Sequence, residues 1–100
     1  MLRWLIPTTI TFPRSQRFVL AEAVQRTALQ FHERLIDAAR AGDPRPVLSQ
    51  ADTDLIKLRF YIRLCRDLRL IDMKKYEHAA MLVGEVGRLL GGWIKSLSSR

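Results

Sequence analysis

The sequence predicts an all-α protein, an antiparallel bundle of three long helices preceded by a short apolar segment. Three observations carry this. Apolar residues recur at helical spacing in three long stretches, the connections between those stretches are short, and no run alternates with the period of a strand. One hundred residues, 48% of them hydrophobic, supply one modest core, so residues 1–100 form a single helical domain without repeat, linker or low-complexity tract.

Leu2 to Ile6 is the apolar segment, and Pro7 is expected to end any helix there because proline lacks the N–H and crowds the preceding turn. The β-branched run Thr8-Thr-Ile-Thr-Phe12 then reads as a connector closed by Pro13. A long helix is expected from near Ser15. Leu20, Val24, Ala28, Phe31, Leu35 and Ala38 mark its apolar face up to Gly42, while Glu22, Arg26, Gln30, Glu33, Asp37 and Arg40 mark a solvated face of mixed sign.

Gly42-Asp-Pro-Arg-Pro46 is the clearest loop, and Ser49-x-x-Asp52 resembles a capping box, placing the next helix start between Pro46 and Ser49. That helix is expected to run to about Ile71. It is apolar on two sides, with Ala51, Leu55, Leu58, Tyr61, Ile62 and Cys65 on one and Ile56, Phe60, Leu64 and Leu68 nearly opposite, so it calls for two partners. Asp72 is the expected N-cap of a last helix from Met73 to about Ser98, whose apolar face is Tyr76, Ala79, Val83, Val86, Leu90, Ile94 and Leu97.

That last helix carries four glycines, each costing about 1 kcal/mol against alanine in a helix interior. Ala80, Gly84, Gly87 and Gly91 form a narrow stripe beside the apolar face, smooth enough for another helix to approach closely. Packing within one bundle and contact between subunits both account for it.

The net charge is +7, from thirteen arginines and four lysines against ten acids. Such a balance favours a polyanionic partner, and the arginine excess favours phosphate, whose geometry the guanidinium fork matches. Arg59, Arg63 and Arg66 lie within about 60° of one another on an ideal helical wheel, with Arg69 further round and Asp67 on the other flank. A solvated ridge and a phosphate-binding surface both fit this pattern. Arg14, Arg17, Lys74 and Lys75 sit near helix starts, where cations oppose the macrodipole, and form candidates for a second basic patch.

Little in the sequence points to catalysis. His32 and His78 lie on different helices without cysteine or carboxylate at ligand spacing, so no metal or other cofactor is expected. Asp52 and Asp54 read as acids in the first turns of a helix, and no phosphate-cradling glycine loop, nucleophile elbow or Cys/His pair occurs. The aromatic residues mostly occupy apolar helical positions, so base stacking has few candidates. Cys65, the single cysteine, lies on an apolar face and cannot form an intramolecular disulfide. With no signal-peptide pattern and no apolar run of membrane-spanning length, the expected location is the cytoplasm and no membrane is expected as a partner.

Phe12-Pro-Arg-Ser-Gln-Arg-Phe18, Leu58-Arg-Phe60, Leu64-x-x-Asp67-Leu-x-Leu-Ile71, Tyr76-Glu77 and Gly87-Arg-Leu-Leu-Gly-Gly-Trp-Ile-Lys95 together resemble the accessory variability determinant (Avd) family of diversity-generating retroelements. The resemblance covers nearly the whole chain in the family's order. It implies a four-helix bundle assembled into a ring-like homopentamer with a basic surface. It further implies binding to the reverse transcriptase and to template-repeat RNA, in support of mutagenic cDNA synthesis without catalysis. The first helix is short against the longer apolar helix usual in the family. From a different class, a structural adaptor could use the same arginines to dock an acidic protein and ignore nucleic acid.

Overall fold

The computed structural model describes residues 1–10 and 17–98. Helix α1 spans Leu2–Ile10, a π-helical turn spans Arg17–Ala21 and leads directly into α2 at Glu22–Arg40, α3 spans Arg45–Asp67, and α4 spans Met73–Ser98. No strand occurs among the described residues, and the all-α bundle with a short first helix is the observed fold. The 26 residues of α4, rising about 1.5 Å each, account for most of the 47 Å long axis of the molecule.

α2 packs most extensively on α3, α3 on α4, and α1 crosses the start of α2 and the π-helical turn. The core follows the apolar faces expected from the sequence. Val24, Ala28, Phe31 and Ala38 of α2 meet Leu48, Ala51, Leu55, Leu58, Ile62 and Cys65 of α3 and Ala79, Val83 and Leu90 of α4. α1 contributes the buried Leu5, with Leu2 and Trp4 packed against the same cluster.

Three boundaries differ from expectation, each for a local physical reason. Pro7 lies inside α1, and Thr8 to Ile10 continue the helix. Proline leaves the Arg3 carbonyl without its usual helical donor, but Pro7 and Arg3 are both exposed, and burial of Leu5 holds the helix in place. The expected start near Ser15 falls outside the described residues. α3 begins at Arg45, ahead of the expected capping box, because the Asp43 carboxylate accepts from the Arg45 backbone N–H at 3.2 Å and Pro46 suits the first turn. Ser49 is thus interior.

α3 ends at Asp67, four residues before Ile71. The Leu70 N–H donates to the Cys65 carbonyl and the Arg69 N–H to the Arg66 carbonyl, both at 2.9 Å, which is the two-bond closure of a Schellman motif. Arg69 occupies the left-handed position of that motif at φ 59°, where glycine is the usual residue. Asp72 caps α4 as expected, its carboxylate accepting the Lys75 N–H at 2.8 Å.

The two-sided character of α3 is only half satisfied within the chain. Ile56, Phe60 and Leu68 are exposed, and Leu64 is half-buried. Asp54 also departs from expectation. Rather than a solvated acid near the helix start, it is 1% exposed in the third turn of α3 and receives a hydrogen bond from the Arg34 guanidinium of α2. Arg34 also donates to Gln50 Oε1 at 2.9 Å, so one side chain ties α2 to two turns of α3.

Candidate nucleic-acid interface

The arginine series of α3 borders the groove between α3 and α4. Arg59 and Arg63, one turn apart, line a cleft of about 100 Å³ together with Ile62, Tyr76, Ala80 and Val83. Both arginines are exposed and neither has an ion-pair partner among the described residues. The cleft floor is apolar and aromatic, so its charge comes from two guanidinium groups free to accept a bidentate anion.

Arg66 is differently placed. It donates from Nε and Nη2 to Asp67 Oδ1 at 3.1 and 3.0 Å, and its guanidinium lies over the Tyr76 ring, 4.5 Å from the centroid. Asp67, set on the far flank by helical-wheel geometry, reaches back to its neighbour. Arg66 therefore braces α3 against α4 by a cation–π contact and keeps only part of its donor capacity for a ligand. Arg69 lies beyond the helix end, exposed, on the Schellman turn rather than on the ridge.

The second set of cations is not brought together with the first. Lys74 and Lys75 are exposed at the start of α4, in an open depression lined also by Trp4, Asp72, Glu77, His78 and Met81. Two acids share that depression with the two lysines, so its charge is balanced, and it has no lining residue in common with the arginine cleft. Arg17 opens the π-helical turn, and Arg14 lies outside the described residues.

Arg88 and the contact between Trp4 and His78 were not singled out from the sequence. Arg88 of α4 is exposed and unpaired among the described residues, and its Nη1 lies 3.8 Å from where a Cβ on Gly84 would stand. Its signal was present, four residues after a glycine of the stripe. Trp4 and His78 meet edge to face with centroids 5.1 Å apart, a pairing that no local pattern reveals because α1 and α4 are remote in sequence. Ile56 and Phe60 are 58% and 59% exposed, and they give α3 an open apolar strip in the stretch that carries Arg59 and Arg63.

Two titratable groups are shaped by burial. The Cys65 thiol is pushed up to about 11 by desolvation, which keeps it protonated and inert. His32 is held below the usual histidine range by burial first and by the positive amino terminus second, and its Nε2 is buried without a hydrogen-bond partner among the described residues. No group of three or more potential metal ligands occurs among the described residues, and none of their helices is long and apolar enough to cross a membrane.

Among the described residues, no backbone of another helix stands against the glycine stripe. A Cβ on Gly87 would stand 2.7 Å from Arg59 Nη2 and 3.8 Å from a Leu55 methyl, whereas Gly91 and Gly92 face open space. In comparisons with known proteins, a family model described as bAvd-like matches residues 1–97. No curated protein matches the chain.

Proposed function

The chain belongs to the bAvd-like family, and from that premise we propose that it is a non-enzymatic accessory protein of a diversity-generating retroelement. In this reading it binds the reverse transcriptase and the template-repeat RNA and supports mutagenic cDNA synthesis in the cytoplasm. The observation that carries the RNA part is the pair Arg59 and Arg63, unpaired on a cleft in a protein of net charge +7. Guanidinium groups without acidic partners have no internal charge to displace before they meet phosphate, and their contact is with the backbone rather than with bases.

Assembly into a homopentamer accounts for the exposed Ile56, Phe60 and Leu68. A neighbouring subunit would cover the second apolar side that this chain leaves open, at a gain of about 25 cal/mol per Å² of apolar surface removed from water. The same strip supports a second reading, an adaptor that docks an acidic protein, because apolar side chains beside arginines also fit a protein surface.

Replacing Arg59, Arg63 and Arg66 together by alanine distinguishes the two. RNA affinity, read by fluorescence anisotropy, is expected to fall by about two orders of magnitude at low salt, with a weaker salt dependence. A folded triple variant with unchanged RNA affinity would remove the ridge from the function, and a wild-type protein that ignores RNA would favour the adaptor.

A further inference from the structure

We infer that Gly87 is a positioning residue for the arginine cleft and that Arg88 is a further phosphate-binding residue of it, so that α4 serves the RNA surface as directly as α3 does. The inference rests on the function proposed above. It starts from a contact that helix packing does not explain.

Gly87 is an expensive choice in the middle of a 26-residue helix, and no backbone of another helix lies against it. What lies against it is the end of the Arg59 side chain. A Cβ at position 87 would stand 2.7 Å from Arg59 Nη2, closer than carbon and nitrogen approach without bonding, so the guanidinium occupies its place only because residue 87 is glycine. In that place Arg59 borders the same cleft as Arg63. A Cβ there would displace the end of the long Arg59 side chain, and with it one of the two guanidinium groups that line the cleft.

Arg88 makes a looser approach, of ordinary van der Waals length, to a glycine one turn back on its own helix. Side chains on a helix lean toward its N-terminus, and Arg88 reaches back until Nη1 is 3.8 Å from the position of a Gly84 Cβ. Gly84 and Gly87 belong to the stripe that also contains Ala80, a lining residue of the cleft. Arg59, Arg63 and Arg88 are all exposed, and none has an acidic partner among the described residues. Arg59 and Arg63 thus line the cleft from α3, and the Arg88 guanidinium rests by Gly84, one helical turn along α4 from the lining residue Ala80. The chemistry that this arrangement recognises is a phosphodiester backbone laid along the α3–α4 groove, its phosphates met by guanidinium groups that rest over glycine positions.

Gly87→Ala separates positioning from folding, because the atom in conflict is the far end of a flexible side chain and α4 gains a better helix former. Binding of the full chain to a fluorescein-labelled single-stranded RNA is measured against salt for wild type, Gly87→Ala, Arg59→Ala, Arg88→Gln, Gly91→Ala and the double variant Gly87→Ala/Arg59→Ala. Gly87→Ala is expected to melt no lower than wild type yet to bind RNA about tenfold more weakly, with a log–log salt slope reduced by about 0.7, one phosphate contact. The double variant is expected to match Arg59→Ala, and Arg88→Gln to lose a similar slope increment. Gly91→Ala, which adds a methyl to open space, is expected to bind as wild type does. Wild-type affinity and slope in Gly87→Ala beside a clear loss in Arg59→Ala would overturn the positioning role, and an unchanged slope in Arg88→Gln would remove that residue from the site. If wild type binds no RNA at all, or Arg59→Ala binds normally, the proposed function of the cleft fails, and the inference falls with it by a different signature.

Discussion

Replacing Asp54 by alanine removes the one carboxylate that is shut away from water in this protein's described core. Asp54 is 1% exposed, whereas the Arg34 side chain that donates to it is 34% exposed. Breaking a buried ion pair by deleting one member costs about 3–5 kcal/mol, and the exposed side of Arg34, which water can solvate, puts this case near about 3 kcal/mol. That is a large share of the ~5–15 kcal/mol that holds a small domain folded. At about 4–8 °C per kcal/mol for a chain of this size, the midpoint should fall by about 12–24 °C. Urea unfolding followed by far-UV circular dichroism, at one fixed protein concentration, reads the loss as a shift in midpoint with an unchanged slope. The paired replacement Asp54→Leu with Arg34→Met is expected to recover most of it, because apolar residues of similar volume replace a buried pair at little cost. A loss below about 1 kcal/mol in Asp54→Ala, or a double variant no more stable than the single one, would refute the view that this pair fastens α2 to α3.

Two further outcomes test local features of the fold. Arg69→Gly relieves a left-handed backbone at φ 59° and is expected to raise stability by about 1 kcal/mol in the same urea assay, while a decrease would mean that the arginine side chain stabilises the turn more than its backbone strains it. His32 has a folded-state pKa below its unfolded value of 6.5, so the unfolded chain binds the proton more readily. Its contribution is complete above that value and is lost as pH falls from about 6.5 toward the folded pKa, levelling below it. Between pH 7 and 5 the wild type should therefore lose stability that a His32→Gln variant retains, and parallel pH profiles for the two proteins would count against a buried neutral imidazole.

The helical periodicity placed the core well because α2, α3 and α4 each bury the face that their own apolar residues define. Phe31, Leu55 and Val83 needed no knowledge of partners to be assigned inward. The Asp72 cap was equally legible, since its bond reaches only three residues along the chain. Boundaries were harder to read. The Schellman turn at Arg69 lacks the glycine that usually announces it, and α1 continues past Pro7 because a buried Leu5 outweighs a local penalty.

The candidate site divides along the same line. Composition sets the charge, and spacing along a single helix sets the co-facial register of Arg59 and Arg63 on α3 and the glycine stripe on α4. Which arginines stay unpaired depends on tertiary packing. Arg66 turns to Asp67 and Tyr76, while Arg59 lies across Gly87 and Arg88 reaches back along Gly84. Lys74 and Lys75 border a separate depression beside two acids. Local periodicity fixes the direction in which a residue leaves its own helix. Where a long flexible side chain comes to rest depends on what the facing helix offers, and here that was an aromatic ring for one arginine and a missing Cβ for another.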